Sequence, residues 1–93
     1  MSHPAGSTLH DRIEMQFVEA DVEMAFTLLD LAADEWGQGH HAIALRVIEN
    51  AEEAFTDIEQ RLARLSASVR MPFNGLVGEL RGAIDAAKLR QRN

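Results

Sequence analysis

Residues 28–51 read LLDLAADEWGQGHHAIALRVIENA, two apolar helical patterns joined across two closely spaced glycines. Apolar residues recur at intervals of three and four on both sides of the glycines, which places them on one face of an α-helix. Gly37 and Gly39 can adopt the left-handed backbone conformation that ends a helix. A turn this short between two long helices makes them antiparallel. The stretch therefore predicts a helical hairpin.

The first arm of this hairpin is predicted to run from Thr8, a candidate N-cap, to Trp36. It carries two apolar rows, which we name row A and row B. At ~100° per residue the rows merge into an arc of roughly 220°, wider than one partner helix requires. We therefore expect this helix to be covered on two sides. Row A consists of Ile13, Phe17, Ala20, Met24, Leu28 and Leu31, and row B of Met15, Val18, Val22, Ala25, Leu29, Ala32 and Trp36.

The second arm is predicted from about His40 to Ser68, with an apolar seam that alternates fours and threes. We expect the middle of this seam to face row A across the hairpin, at Phe17, Met24, Leu28 or Leu31. The seam consists of Ala44, Ile48, Ala51, Phe55, Ile58, Leu62, Leu65 and Val69.

A third helix is predicted at about 72–90, because Pro72 breaks the second helix and suits the first turn of the next. Its apolar stripe lies opposite Gly75, Gly78 and Gly82. Each mid-helix glycine costs about 1 kcal/mol relative to alanine. Two interpretations remain open: a weak surface helix, or a smooth face against which another helix packs closely.

No segment shows the alternation typical of a strand, so the fold class is all-α. We expect a long antiparallel hairpin plus a shorter third helix in one domain, residues 8–90. Residues 1–7 are predicted to be disordered, and residues 91–93 to form a basic C-terminal end. The adjoining basic residues, from Lys88 onward, are expected to complement a helix C-terminus and the acidic first helix; a nucleic-acid contact is the weaker alternative.

Composition and charge exclude several classes of function. The chain has 93 residues and a net charge of −6, and residues 8–36 hold eight acidic residues against Arg12 alone. Nucleic-acid binding needs a basic surface, so we expect none. There is no cysteine for a disulfide or a thiolate metal site, and no apolar run near the ~18 residues that cross a bilayer. The first seven residues lack the pattern of a secretory signal, so we expect a cytoplasmic protein.

The residues able to carry chemistry are few. His40 and His41 are adjacent and point roughly 100° apart on a helix, so they are predicted to be solvent-exposed turn residues rather than joint metal ligands. Glu14 and Asp21 fall among the apolar rows. A buried carboxylate is costly unless it is paired, so we expect ion pairs with an arginine of another helix. An acid/base pair is the alternative. No cofactor motif is present.

The segment from Leu28 to Ala51 resembles a single tetratricopeptide-type helical hairpin. Small residues stand where the two helices of that family touch, a glycine marks the turn, and alanines recur on the second helix. Leu28 replaces the family's tryptophan, and the proline expected near Thr56 is absent. The segment resembles equally well the related three-helix modules that bind short helical peptides. The resemblance covers about a quarter of the chain and implies protein binding without catalysis. The matching positions are Leu31, Ala32, Gly39, Ala44 and Ala51.

These observations predict a non-enzymatic protein-interaction or self-association module. The third helix is too short to cover the whole first helix, so part of row B with Phe26 should remain in water and form a homodimer interface. The glycine face offers a second contact, for a peptide helix of another protein. The alternative is a small-ligand or metal-binding bundle with possible enzymatic activity. The predicted interaction residues are Met15, Val18, Val22, Phe26, Leu29, Gly75, Gly78 and Gly82.

Overall fold

The computed structural model describes residues 9–91 and shows the antiparallel hairpin at the glycine pair. Helix α1 spans Leu9–Gly37 and helix α2 spans His41–Ala63. The reversal takes place at Gly39, whose φ of 86° is a conformation that L side chains rarely adopt. The amide of His40 donates to the carbonyl of Glu35 at 2.8 Å and closes the turn. The predicted disordered segment, the Thr8 cap and residues 92–93 lie outside the described residues.

Helix α2 ends at Ala63, five residues before the predicted Ser68, and a corner follows. The amides of Arg64 and Leu65 donate to the carbonyls of Arg61 and Leu62 three residues back, which tightens the last turn. Ser66 then adopts an extended conformation, which this residue type tolerates better than the interior of a helix. The predicted seam of α2 extends past this corner because the spacing of apolar residues contains no signal for the end of the helix.

The corner leads into the third long helix. The short helix α3, Ala67–Arg70, and a 3₁₀ turn, Met71–Phe73, precede helix α4, Asn74–Gln91. Proline in the 3₁₀ turn occupies a position where no amide donor is needed. Arg81 lies over Phe55 while Lys88 pairs with Glu52, so α4 runs antiparallel to α2.

The core lies between α1, α2 and α4. Row B supplies the buried face of α1, and alanines of both hairpin helices are buried in it, which permits a close approach of the backbones. The α2 seam is buried as predicted from Ala44 to Leu65. Helix α4 adds three residues, and Phe73 closes the end near the corner. The principal buried side chains are Val18, Val22, Ala25, Leu29, Ala32, Ala44, Ile48, Ala51, Phe55, Ile58, Leu62, Leu65, Phe73, Leu80, Ile84 and Ala87.

The prediction that the α2 seam faces row A is wrong for most of the row. Phe17, Met24 and Leu31 are about half exposed, and only Leu28 packs against the core. Row B takes the expected place because both α2 and α4 pack on its side of α1. The all-α fold with a long hairpin and a shorter third helix is confirmed: α1, α2 and α4 have 29, 23 and 18 residues, and residues 9–91 contain no strand.

Candidate interaction surface

Row A forms an apolar ridge on the side of α1 that faces away from α4. Ile13, Phe17, Met24 and Leu31 each expose between 43% and 50% of their surface. Row B is centred roughly 130° around the helix from row A, at ~100° per residue. A helix can bury only the arc that its neighbours contact, and α2 and α4 contact the arc of row B. Row A is therefore the larger uncovered apolar face of α1.

A charged cluster borders row A where α1 meets α2. Arg61 of α2 donates through Nη1 to Oε1 of the buried Glu14 at 3.0 Å, and its Nε lies 3.5 Å from Oδ2 of Asp21. The same Nε donates to Oδ2 of Asp57 at 3.1 Å. The structure thus places both carboxylates singled out in the sequence against one arginine of another helix. Arg64 is more distant, at 4.0 Å from Glu14.

Arg61 also connects this cluster to row A. Its guanidinium carbon lies 4.7 Å from the centroid of the Phe17 ring, a cation–π distance. The arginine is held by three carboxylates, so its stem and head have little freedom to leave the ring. The Phe17 ring is therefore supported on one face by Arg61, while half of its surface remains exposed.

The carboxyl groups of the cluster have unequal proton affinities. Burial and the neighbouring Asp57 carboxyl raise the pKa of Asp21 above 3.8, against the lowering effect of Arg61. The hydrogen bond from Arg61 lowers the pKa of Asp57. Oδ2 of Asp21 is enclosed and makes no hydrogen bond within the described residues. Asp57 therefore receives the hydrogen bond from Nε of Arg61, and Asp21 carries the cost of burial.

The residues predicted as a dimer interface lie elsewhere. Val18, Val22 and Leu29 are buried in the core of the single chain, so they are not available to a second copy. Met15 and Phe26 are half-buried and pack against the core. The physical reason is that α4 contacts the row B side of α1, the side predicted to remain in water.

Phe26 and Val22 line an open groove between α1 and the start of α4. Leu76 forms its other wall, and Glu19 and Glu23 stand at its rim. The groove holds about 540 Å³, a volume within the range of small-molecule sites. It is wide and open, and its rim is acidic, so it is a minor feature beside row A.

The glycine face of α4 points into open space. A Cβ placed on Gly75, Gly78 or Gly82 would meet no atom within 4 Å in the described part of the chain. Leu89 lies on the same outward face and is 59% exposed. No helix of residues 9–91 packs on this face, which is the arrangement expected of the surface-helix interpretation.

The histidines of the hairpin turn have structural contacts. Nδ1 of His40 lies 2.8 Å from Oε1 of Glu35, and the carboxylate accepts this hydrogen bond. The His41 ring stacks on Trp36 at 3.9 Å between centroids. Trp36 in turn packs against the core. Both histidines therefore tie the turn to α1, although their side chains remain exposed.

Two basic residues of α4, Arg81 and Lys88, contact α2. Lys88 pairs with Glu52, and the Arg81 guanidinium lies 4.6 Å from the Phe55 ring centroid. Among residues 9–91, no three His, Cys, Asp or Glu side chains come together as a metal site would require. Within the same residues, no helix is both long and apolar enough to span a membrane.

Sequence signals for the true core face of α1 do exist. Ala25 and Ala32 of row B are seven residues apart, as are Ala44 and Ala51 of α2, and small residues on two facing helices favour close contact. Glu35, seven residues after Leu28 and four after Leu31, places a carboxylate on the wheel at the position of row A. Together these patterns favour row B as the buried side.

Comparisons with known proteins found no match that indicates a function. No protein-family model matches the chain, and no curated protein and no solved structure matches it either.

Proposed function

We propose that this chain is a non-enzymatic helical module that acts by binding protein, itself included, through row A. The observation that carries the proposal is the row of large apolar side chains about half exposed along α1, from Ile13 to Leu31. Contiguous apolar surface of this kind marks association sites in soluble proteins. The resemblance of residues 28–51 to a tetratricopeptide hairpin implies a role of the same kind.

The energetics favour covering row A. Complete burial of a Phe, Leu, Ile or Met side chain contributes ~1.5–3 kcal/mol, so the half-exposed members retain about half of that each. Arg61 fixes Phe17 in place, which lowers the side-chain entropy lost on binding. The exposed edge of α1 beside row A carries Glu23, Asp30 and Asp34. A fitting partner is therefore a helix with an apolar stripe and at least one basic residue opposite this edge.

Site-specific photo-crosslinking tests this proposal. A photoreactive phenylalanine analogue replaces Phe17 in row A, and a matched control carries it at Leu89, which is exposed on the far face of α4. We expect discrete adducts from position 17 and not from position 89. Each adduct is identified by mass and retested with purified proteins, including this chain alone. Equal adduct patterns at the two positions, or none at position 17, would contradict the proposal.

A further inference from the structure

We infer that the partner covering row A is a second copy of this chain, with the two α1 helices antiparallel. The two-fold axis passes row A at the level of residue 22 along the helix. This inference rests on the proposed function and names its partner. Three properties of the α1 surface carry it: the spacing of row A, the sizes of its side chains, and the position of a single arginine.

The spacing of row A is self-complementary. A position beside residue 22 lies midway between Ile13 and Leu31 and also midway between Ala20 and Met24. The midpoint of Phe17 and Leu28 is within half a residue of the same place. A two-fold axis there brings each member of row A opposite another member in the second copy. Apolar side chains meet apolar side chains along the whole row.

The sizes of the side chains fit the same axis. The long Met24 side chain of one copy faces Ala20 of the other, and the axis repeats this contact on its other side. Large residues opposite small ones let two helices interdigitate without voids. Phe17, held by Arg61, packs beside the partner's Leu28.

The exposed edge of α1 offers one ion pair per copy, whereas the Glu23 side chains of the two copies come close together beside the axis. Arg12 is the only lysine or arginine of α1, and it lies on the edge that faces away from α2. Asp30 and Asp34 lie on that same edge, and all three side chains are exposed without an ion pair inside residues 9–91. A two-fold axis perpendicular to both α1 helices places the same edge of each helix on the same side of the dimer. Arg12 of one copy then falls between Asp30 and Asp34 of the other.

The size of the contact sets its strength. Row A extends over 18 residue steps from Ile13 to Leu31, ~27 Å at 1.5 Å per residue. Helices α1 and α2 of one hairpin, side by side, are ~20 Å wide. The face of the hairpin that contains row A therefore covers on the order of 600 Å², somewhat below the ~800 Å² per partner of a typical specific interface. We therefore expect a dimer with a dissociation constant in the micromolar range. Its centre is a four-helix bundle made of two hairpins.

Cysteine pairing tests the antiparallel register directly, because the chain contains no cysteine. Ile13→Cys and Leu31→Cys variants are purified separately, then oxidised alone and mixed. We expect a disulfide-linked dimer only on mixing, since each introduced cysteine lies ~27 Å from its own copy in the partner. A disulfide needs Cα atoms about 4.4–6.8 Å apart. Mixing Leu31→Cys with Leu89→Cys gives the collision background.

Charge reversal gives an independent readout. Arg12→Glu should weaken dimerisation about fivefold, and Asp30→Arg with Asp34→Arg in the same chain should restore it. Disulfides in the separately oxidised variants would replace this arrangement with a parallel one. Pairing no faster than background would remove the homodimer. The proposed function would survive that result if position 17 still crosslinks to another protein, and would fall with it if no adduct forms.

Discussion

At the scale of single residues, Arg61 organises the surface that we propose for binding. It contacts Glu14, Asp21 and Asp57 and lies over the Phe17 ring. The sequence predicted that Glu14 and Asp21 pair with an arginine of another helix, because carboxylates among apolar rows need a partner. It did not indicate which arginine, since the choice depends on the register of α1 against α2.

The unequal carboxyl groups of this cluster predict a pH-dependent effect of Asp21→Asn. The pKa of Asp21 is raised in the fold, so its ionised form destabilises the protein at neutral pH. That cost disappears as the pH falls through the raised pKa and is absent below about 3.8. We expect Asp21→Asn to match or exceed the wild-type stability at pH 7, by less than about 1 kcal/mol. The excess should vanish in acid. Urea unfolding between pH 7 and pH 3 measures it.

Asp57→Asn is the matched control for that series. The pKa of Asp57 is lowered in the fold, so its ionised form stabilises the protein above the ordinary value of 3.8, and this contribution is lost as the pH falls through the lowered pKa. Asp57→Asn should therefore be less stable than wild type at pH 7. An Asp21→Asn variant destabilised at pH 7 as much as Asp57→Asn would contradict this description of the cluster.

At the scale of the elements, the sequence determined which helices form but not which face of α1 is buried. The glycine turn, the seam of α2 and the proline before α4 predicted the hairpin and the third helix. Both rows of α1 are apolar, so the hydrophobic pattern alone could not rank them. The seven-residue spacing of Ala25 and Ala32 favours burial of row B. The position of α4 decides it, and that position depends on the corner at Ser66, which has no signal in apolar spacing.

Two phenylalanine variants test the orientation of α1. Phe55 is 4% exposed in the core and Phe17 is 50% exposed in row A. Phe55→Ala should cost about 3–5 kcal/mol of unfolding free energy, while Phe17→Ala should cost less than about 1 kcal/mol. Chemical denaturation at a concentration where the chain is monomeric measures both. Similar losses in the two variants would mean that row A is part of the core.

The glycines of α4 provide a second test at this scale. A Cβ at Gly78 or Gly82 meets no atom within 4 Å, and both glycines lie inside the helix. Each Gly→Ala change should therefore stabilise the protein by about 0.5–1 kcal/mol. Gly39→Ala is the contrast, because its φ of 86° strains any side chain. Destabilisation by Gly78→Ala would point to a close contact on the glycine face.

At the scale of the whole molecule, three long helices leave one side of the hairpin uncovered. Helix α4 packs on the row B side of α1, and the described chain offers nothing to cover row A. The sequence predicted that α1 carries more apolar surface than its neighbours can bury, because its apolar arc is too wide. The sequence pattern placed the exposed apolar surface on row B. That prediction is wrong because α4 packs on the row B side and leaves row A exposed. The predicted self-association stays a prediction, now placed on row A.

The mass of the chain in solution tests this central claim most directly. Light scattering over a concentration series through the micromolar range should show the mass rising from 10.3 kDa towards twice that value. A Phe17→Glu, Met24→Glu double variant should stay at 10.3 kDa while keeping its helical content. Leu89→Glu, on the far face of α4, should behave as wild type. A wild-type mass of 10.3 kDa at every concentration, or a dimer unaffected by the row A charges, would contradict the account.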